Sequence, residues 1–276
     1  MSRTLPRVLG VVGLIVIPGA LAAQAIDTTF VEVDGHRVAL YATGIAGGPT
    51  VVMEAGGGSW HRDWVRIAPR LATEARVIMY DRPGYRLSEP CDSARTAERV
   101  SRELNLALNA AGYTGPVIMV GWSLGGAFAR VFAGTYPERV RGLVLVDPAP
   151  TGFYPRMPRD YPDEWSLGVA EHFSAVFSDS TRRAEAQELA AFDASMAQAR
   201  ASDARHATPS IVLIAGRDDE VATDVISRVW VEELSRWAAT RPRTTVTIVP
   251  DVGHHIPAQA PDAIVKAVIE LIARTK

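Results

Sequence analysis

The stretch PVIMVGWSLGG, residues 116–126, decides how the rest of the chain is read. Its first half is an unbroken apolar run. Its second half is a small-x-Ser-x-small pattern in which Gly121 and Gly125 stand two residues either side of Ser123, and an apolar segment of helical character comes next. A serine held on a tight strand-to-helix turn needs small neighbours, because the turn brings the flanking residues close to the backbone. The start of the following helix also favours negative charge developing nearby. The pattern alone is common in proteins, so its meaning depends on the strand before it and the helix after it.

Outward from this turn, short apolar runs alternate with longer helical patterns. TVVMEAG, RVIMYD, GPVIMVGW and RGLVLVDPAP are each separated by a helix, and SIVLIAGRDDE and TTVTIVPDVGHH continue the series further on. Continuous Val/Ile/Leu/Met runs spaced by helices predict parallel strands buried on both faces, joined by crossovers into an α/β layered domain. Before them, TTFVEVDGHRVALYATG alternates on both sides of Asp34-Gly35, a pair suited to a tight antiparallel hairpin. In the last helix Ile264, Val265, Val268, Leu271 and Ile272 recur at helical spacing.

The rhythm fails between about residues 149 and 208. That stretch is first rich in Pro, Tyr and Trp and then in Ala and charge, and it reads as a helical lid inserted into one domain. The first 25 residues have the three parts of a secretory leader: Arg3 and Arg7, the apolar stretch Val8 to Ile17, and Ala23-Gln24-Ala25 as a small-x-small cleavage site. The expected organisation is a leader over 1–25 and one domain over 26–276, exported to the periplasm or beyond. Pro18 and Gly19 break the apolar run short of a membrane span, so no stable membrane insertion is expected once the leader is gone.

The whole chain has a formal charge of −2, and removal of residues 1–25 takes away two arginines and no acid, giving −4. Such a mild balance offers no electrostatic reason to expect nucleic acid as a partner. The single cysteine, Cys91, has no intramolecular partner to bond, so stability must come from the core.

Taken with the order of the later strands and loops, GWSLGG resembles the nucleophile turn of the α/β-hydrolase fold family, and the resemblance covers nearly all of residues 26–276. The family's triad runs Ser, then Asp or Glu, then His, each after a later strand. Ser123 is followed by Arg217-Asp218-Asp219-Glu220 after the strand SIVLIAG, and by Asp251-Val252-Gly253-His254 after the strand TTVTIVP. The resemblance implies Ser123 as nucleophile and His254 as base, with His255 a bystander. Family members commonly show Gly-x-x-Asp-x-Val/Ile at the middle position, which maps onto GRDDEV and implies Asp219 as the acid, with Asp218 in reserve.

The family's oxyanion loop corresponds to EAGGGSW, residues 54–60, and the resemblance implies backbone N–H groups of Gly57 and Leu124 as the oxyanion donors. Ala55-Gly56 stands where many relatives have His-Gly, a change that removes a side chain and no backbone donor. DRPGYRLSEP, residues 81–90, looks like the family's supporting loop, with Arg86 where a glycine is usual. The implied activity is acyl transfer on a small or medium apolar carboxylic ester, with aminopeptidase, lactonase and carbon–carbon bond hydrolase on the same triad as alternatives. A hydrolase-fold binding protein without turnover is the non-enzymatic alternative. No cofactor is expected, and no metal, since His36, His61, His172 and His206 do not pair with Cys, Asp or His at zinc-ligand spacing.

Overall fold

The computed structural model describes residues 25–163, 165, 183–216 and 224–275. The expected leader lies outside these residues, and so do Asp218 and Asp219.

The chain opens with β1 (Asp27–Val33) and β2 (His36–Gly44), paired antiparallel with Val33 opposite His36. Asp34 and Gly35 form the two-residue connection, both at positive φ (50° and 80°), as the Asp-Gly pair predicts. The later strands are β3 (Thr50–Glu54), β4 (Arg76–Tyr80), β5 (Val117–Trp122), β6 (Val140–Val146), β7 (Ser210–Ala215) and β8 (Thr244–Val249). They complete an eight-stranded sheet in the order β1-β2-β4-β3-β5-β6-β7-β8, parallel from β4 to β8.

Side chains alternate to the two faces, so each inner strand feeds two cores. Val51, Met53, Ile118, Val120, Val144 and Val146 face one helical layer, which contains Ile264, Val268, Leu271 and Ile272. Val52, Met119, Leu143, Leu145, Val212 and Ile214 face the other. The first layer holds α1 (Ala68–Leu71) and the C-terminal helix Pro261–Arg274, and the second holds α2 (Ala97–Ala110) and α3 (Leu124–Thr135). This double burial explains why the central strands read as continuous apolar runs rather than as alternating ones.

Between β6 and β7 the described residues include α4 (Phe153–Asp160), α5 (Arg183–Ala190) and α6 (Phe192–Ser202). After β7 comes α7 (Asp224–Ala239), and after β8 come α8 (Ile256–Gln259) and α9, the C-terminal helix already given. Among the described residues no helix is long and apolar enough to cross a membrane.

Candidate active site

Ser123 occupies the corner between β5 and α3 at φ 54°, a left-handed conformation that is uncommon outside glycine. The flanking glycines are there because the corner is crowded. A Cβ on Gly121 would come within 2.4 Å of the Gly125 carbonyl, and one on Gly125 within 2.4 Å of the Ala55 carbonyl. The first packs the turn on itself, and the second lets α3 start directly against the end of β3.

His254 sits in the loop between β8 and α8, half-buried, with Nε2 2.9 Å from the Ser123 hydroxyl. Its Nδ1 lies 2.6 Å from Oδ2 of Asp147. A carboxylate only accepts, so Nδ1 carries the proton, and Nε2 is left to accept from Ser123. His255 is exposed and rests on the Trp122 ring, with centroids 4.5 Å apart. The same indole donates to the His254 carbonyl at 2.9 Å, and an added Cβ on Gly56 would come within 2.8 Å of its ring. Trp122 therefore ties the histidine loop, the serine corner and the glycine loop together.

A carboxylate other than the one the sequence points to stands beside His254. The sequence points to Asp219 on the loop after β7, and both it and Asp218 lie outside the described residues. The carboxylate that meets His254 belongs to Asp147, the first residue after β6. The sheet order supplies the reason: β6 and β7 both end between the Ser123 corner and the His254 loop, so an acid at either end is within reach. Asp147 is held for the task. It stands at φ 39°, its Oδ1 accepts from the Ala215 amide at 3.2 Å and from the Trp230 indole at 3.3 Å, and it is almost wholly buried. The available sequence signal was its place: like Ser123, it is the first residue after a parallel strand.

The glycine loop comes against α3, where a Cβ on Gly57 would lie 3.2 Å from the Leu124 side chain. Behind it, buried Arg82 donates to the carbonyls of Ala55 (2.9 Å) and Gly56 (2.7 Å). Its remaining donors go to Glu54 (2.8 Å) and Glu188 of α5 (2.6 and 3.1 Å), and the Tyr80 hydroxyl donates to Glu54. Burial pushes the Glu54 carboxyl above its usual range, and the Arg82 charge opposes that shift. Loop 81–90 thus supports the glycine loop through one guanidinium. Arg86 is exposed at φ 48° over the Trp60 ring, which explains why a glycine is usual there.

Aromatic residues of the β6–β7 insertion pack beside the site. Phe153 meets Trp230 at 5.2 Å, Tyr154 meets Phe192 at 4.5 Å, and Trp230 stands edge-on to His254 at 5.5 Å. Burial, and then the nearby charge of Asp147, raises the Tyr154 phenol well above its ordinary pKa, so it stays neutral. Trp165 lies at 6.3 Å from both Phe153 and Tyr154, and Tyr161 packs against the same cluster. Phe173 and Phe177 lie outside the described residues.

A family model described as the alpha/beta hydrolase family matches residues 45–267. The chain belongs to that family. Among curated relatives, the pimeloyl-[acyl-carrier protein] methyl ester esterase of Chromobacterium violaceum is 34% identical over 111 residues, covering 40% of this chain and 41% of that protein. The corresponding esterase of Yersinia enterocolitica is 28% identical over 170 residues, covering 58% and 61%. The matches thus span less than two thirds of these relatives' own length. Among solved structures, a thermophilic esterase from Thermogutta terrifontis superposes with a TM-score of 0.64 at 23% identity, covering 92% of this chain and 99% of that one. Haloalkane dehalogenase DbeA from Bradyrhizobium elkani gives 0.68 at 18%, covering 91% and 99%. These structural likenesses establish the α/β-hydrolase fold.

Proposed function

We propose that this hydrolase is a serine esterase acting on small or medium apolar carboxylic esters, with Ser123 as nucleophile, His254 as base and Asp147 as acid. The observation that carries the reading is the continuous line of contacts from the Ser123 hydroxyl to His254 Nε2 and from Nδ1 to Asp147, at 2.9 and 2.6 Å. His254 takes the serine proton as Oγ attacks the ester carbonyl. The oxyanion is held by the N–H groups of Gly57 and Leu124. The intermediate collapses to an acyl-serine as His254 delivers the proton to the leaving alcohol. Water, deprotonated by His254, then releases the acid and restores the serine.

A serine at this position forms no alkyl-enzyme ester of the kind a carboxylate nucleophile makes, which separates the proposed chemistry from the dehalogenase whose fold it shares. The aromatic surface at Tyr154, Trp165 and Trp230 suits an apolar acyl or alcohol group, with the β6–β7 insertion as lid. A second reading, aminoacyl amides on the same triad, is favoured by the buried Glu185 of α5, whose carboxylate lies beside the glycine loop at Gly58.

A fluorophosphonate probe and a panel of short acyl esters, lactones and aminoacyl amides test the reading together. Labelling of Ser123 with ester cleavage supports it. Cleavage of amides alone transfers it to the second reading, and failure to label folded protein overturns both. The leader pattern of residues 1–25 supports an exported enzyme, which N-terminal sequencing of the mature protein checks.

A further inference from the structure

The strands that present the triad at their C-terminal ends carry a basic cleft at the other end. It has a volume of about 540 Å³ and lies where β6, β7 and β8 begin, against the end of α9. At about 3.3 Å per residue, the seven residues of β6 put it roughly 20 Å from Asp147. Arg141, Arg205, Arg243 and Arg274 line it, and no acidic residue does. This clustering is local, because the chain as a whole is slightly acidic at −2.

The four arginines differ in what already occupies them. Arg274 pairs with Glu270 one turn back, and Arg205 donates to the Ala201 carbonyl at 3.4 Å. The guanidinium groups of Arg141 and Arg243 make no hydrogen bond or ion pair among the described residues. Asp203, two residues before Arg205, accepts from Arg130 at 3.0 Å and from the Trp237 indole at 2.8 Å, so its charge is committed to those partners. His206 is buried in the cleft wall. Burial and the adjoining Arg241 hold its pKa down to about 4, so at neutral pH it offers a hydrogen-bonding ring and no charge. Arg141 and Arg243, which have no paired carboxylate among the described residues, repel each other and Arg205, and an anion in the cleft relieves that repulsion.

We propose that this cleft binds a ligand carrying phosphate groups, held by Arg141 and Arg243 at the far end of the sheet from the triad. The planar guanidinium fork matches phosphate oxygens in pairs, which favours this anion class over a halide. The volume suits a ligand larger than one phosphate. A second, largely uncharged cleft of about 390 Å³, bordered by Gly47, Gly115, Pro116 and Ile272, shares Arg141 with the first and accommodates an organic portion.

Isothermal titration calorimetry of the full chain with inorganic pyrophosphate, and co-sedimentation with phosphatidylcholine vesicles with and without phosphatidic acid, separate a free phosphate ester from a lipid headgroup. Saturable binding in either arm is expected, and the arm identifies the source. The double variant Arg141→Gln/Arg243→Gln is expected to weaken it about tenfold or more. Arg102→Gln/Arg159→Gln, equal in charge but remote, is expected to bind as the parent does. No saturable binding in either arm overturns the proposal. So does equal affinity in the cleft variant, which puts the binding elsewhere, or an equal loss in the remote one, which marks attraction to net charge alone. Ser123 labelling is read in parallel and stands apart from the outcome.

Discussion

Two aspartate–histidine pairs among the described residues have nearly equal length, and of these two only one faces a serine. Asp147 meets His254 Nδ1 at 2.6 Å, and Asp81 meets His61 Nδ1 at 2.7 Å. Each aspartate is the first residue after a parallel strand of the same sheet, β6 and β4 respectively. Beyond that they diverge. His254 turns Nε2 to Ser123 Oγ, whereas the His61 ring lies on Tyr41 with centroids 3.8 Å apart. Asp147 is held by an amide and an indole, and Asp81 by the Tyr41 hydroxyl (2.7 Å) and the His61 amide (3.2 Å). An Asp–His pair therefore fixes a loop wherever it occurs. In the proposed triad it serves catalysis because a third strand corner aims a hydroxyl at His254 Nε2.

The largest way to break this contrast is at the histidines. His254→Ala is expected to lower kcat on the order of 10⁴–10⁶-fold, while His61→Ala and His255→Ala stay within about tenfold, as ester hydrolysis rates would show. A reversal between His254 and His255 would move the base by one residue. Next come the acids: Asp147→Asn should cost about 10⁴-fold in kcat, with Asp81→Asn and Asp219→Asn near the parent enzyme. A comparable loss in Asp219→Asn would return the acid to the β7 loop and make the Asp147 pair structural, like that of Asp81.

Arg82→Met sharpens the structural side of the comparison. It strands Glu54 and Glu188 without their cation, and a stability loss of about 3–5 kcal/mol is expected in urea denaturation. A smaller effect is predicted for Trp230→Phe, which removes one donor to Asp147. Its kcat should fall about three- to tenfold with KM nearly unchanged and with a displaced pH–rate profile. A third histidine gives the last contrast, because His206 faces Arg241 instead of a carboxylate. Its folded pKa of about 4 lies below the ordinary 6.5, so the unfolded chain takes up the proton first. Its contribution to stability is complete above about pH 6.5 and is lost as pH falls towards 4, a slope that His206→Gln should flatten.

Much of the fold was legible because its signals are local. The Asp34-Gly35 hairpin, the apolar runs that became β3 to β7, and the glycines around Ser123 each depend on neighbours within a few residues. The Gly-His that precedes the last helices was legible in the same way. The Asp81 loop was readable as a support, but its working contact was not, because Glu188 lies 106 residues from Arg82 along the chain. The Asp147–His254 contact escaped the sequence for a related reason. A motif after β7 supplies two aspartates in the familiar position, while Asp147 stands in RGLVLVDPAP with nothing but its place after a strand to mark it.

The sequence by itself determined the layered α/β architecture, the serine corner and the histidine loop, since periodicity and turn chemistry are written in adjacent residues. Only the tertiary structure decided which acid meets His254. With β6 and β7 both ending between the serine and the histidine, the choice rests on the left-handed backbone at Asp147 and on donors from Ala215 and Trp230. Those residues are 68 and 83 positions away, and only the assembled sheet brings them to one carboxylate.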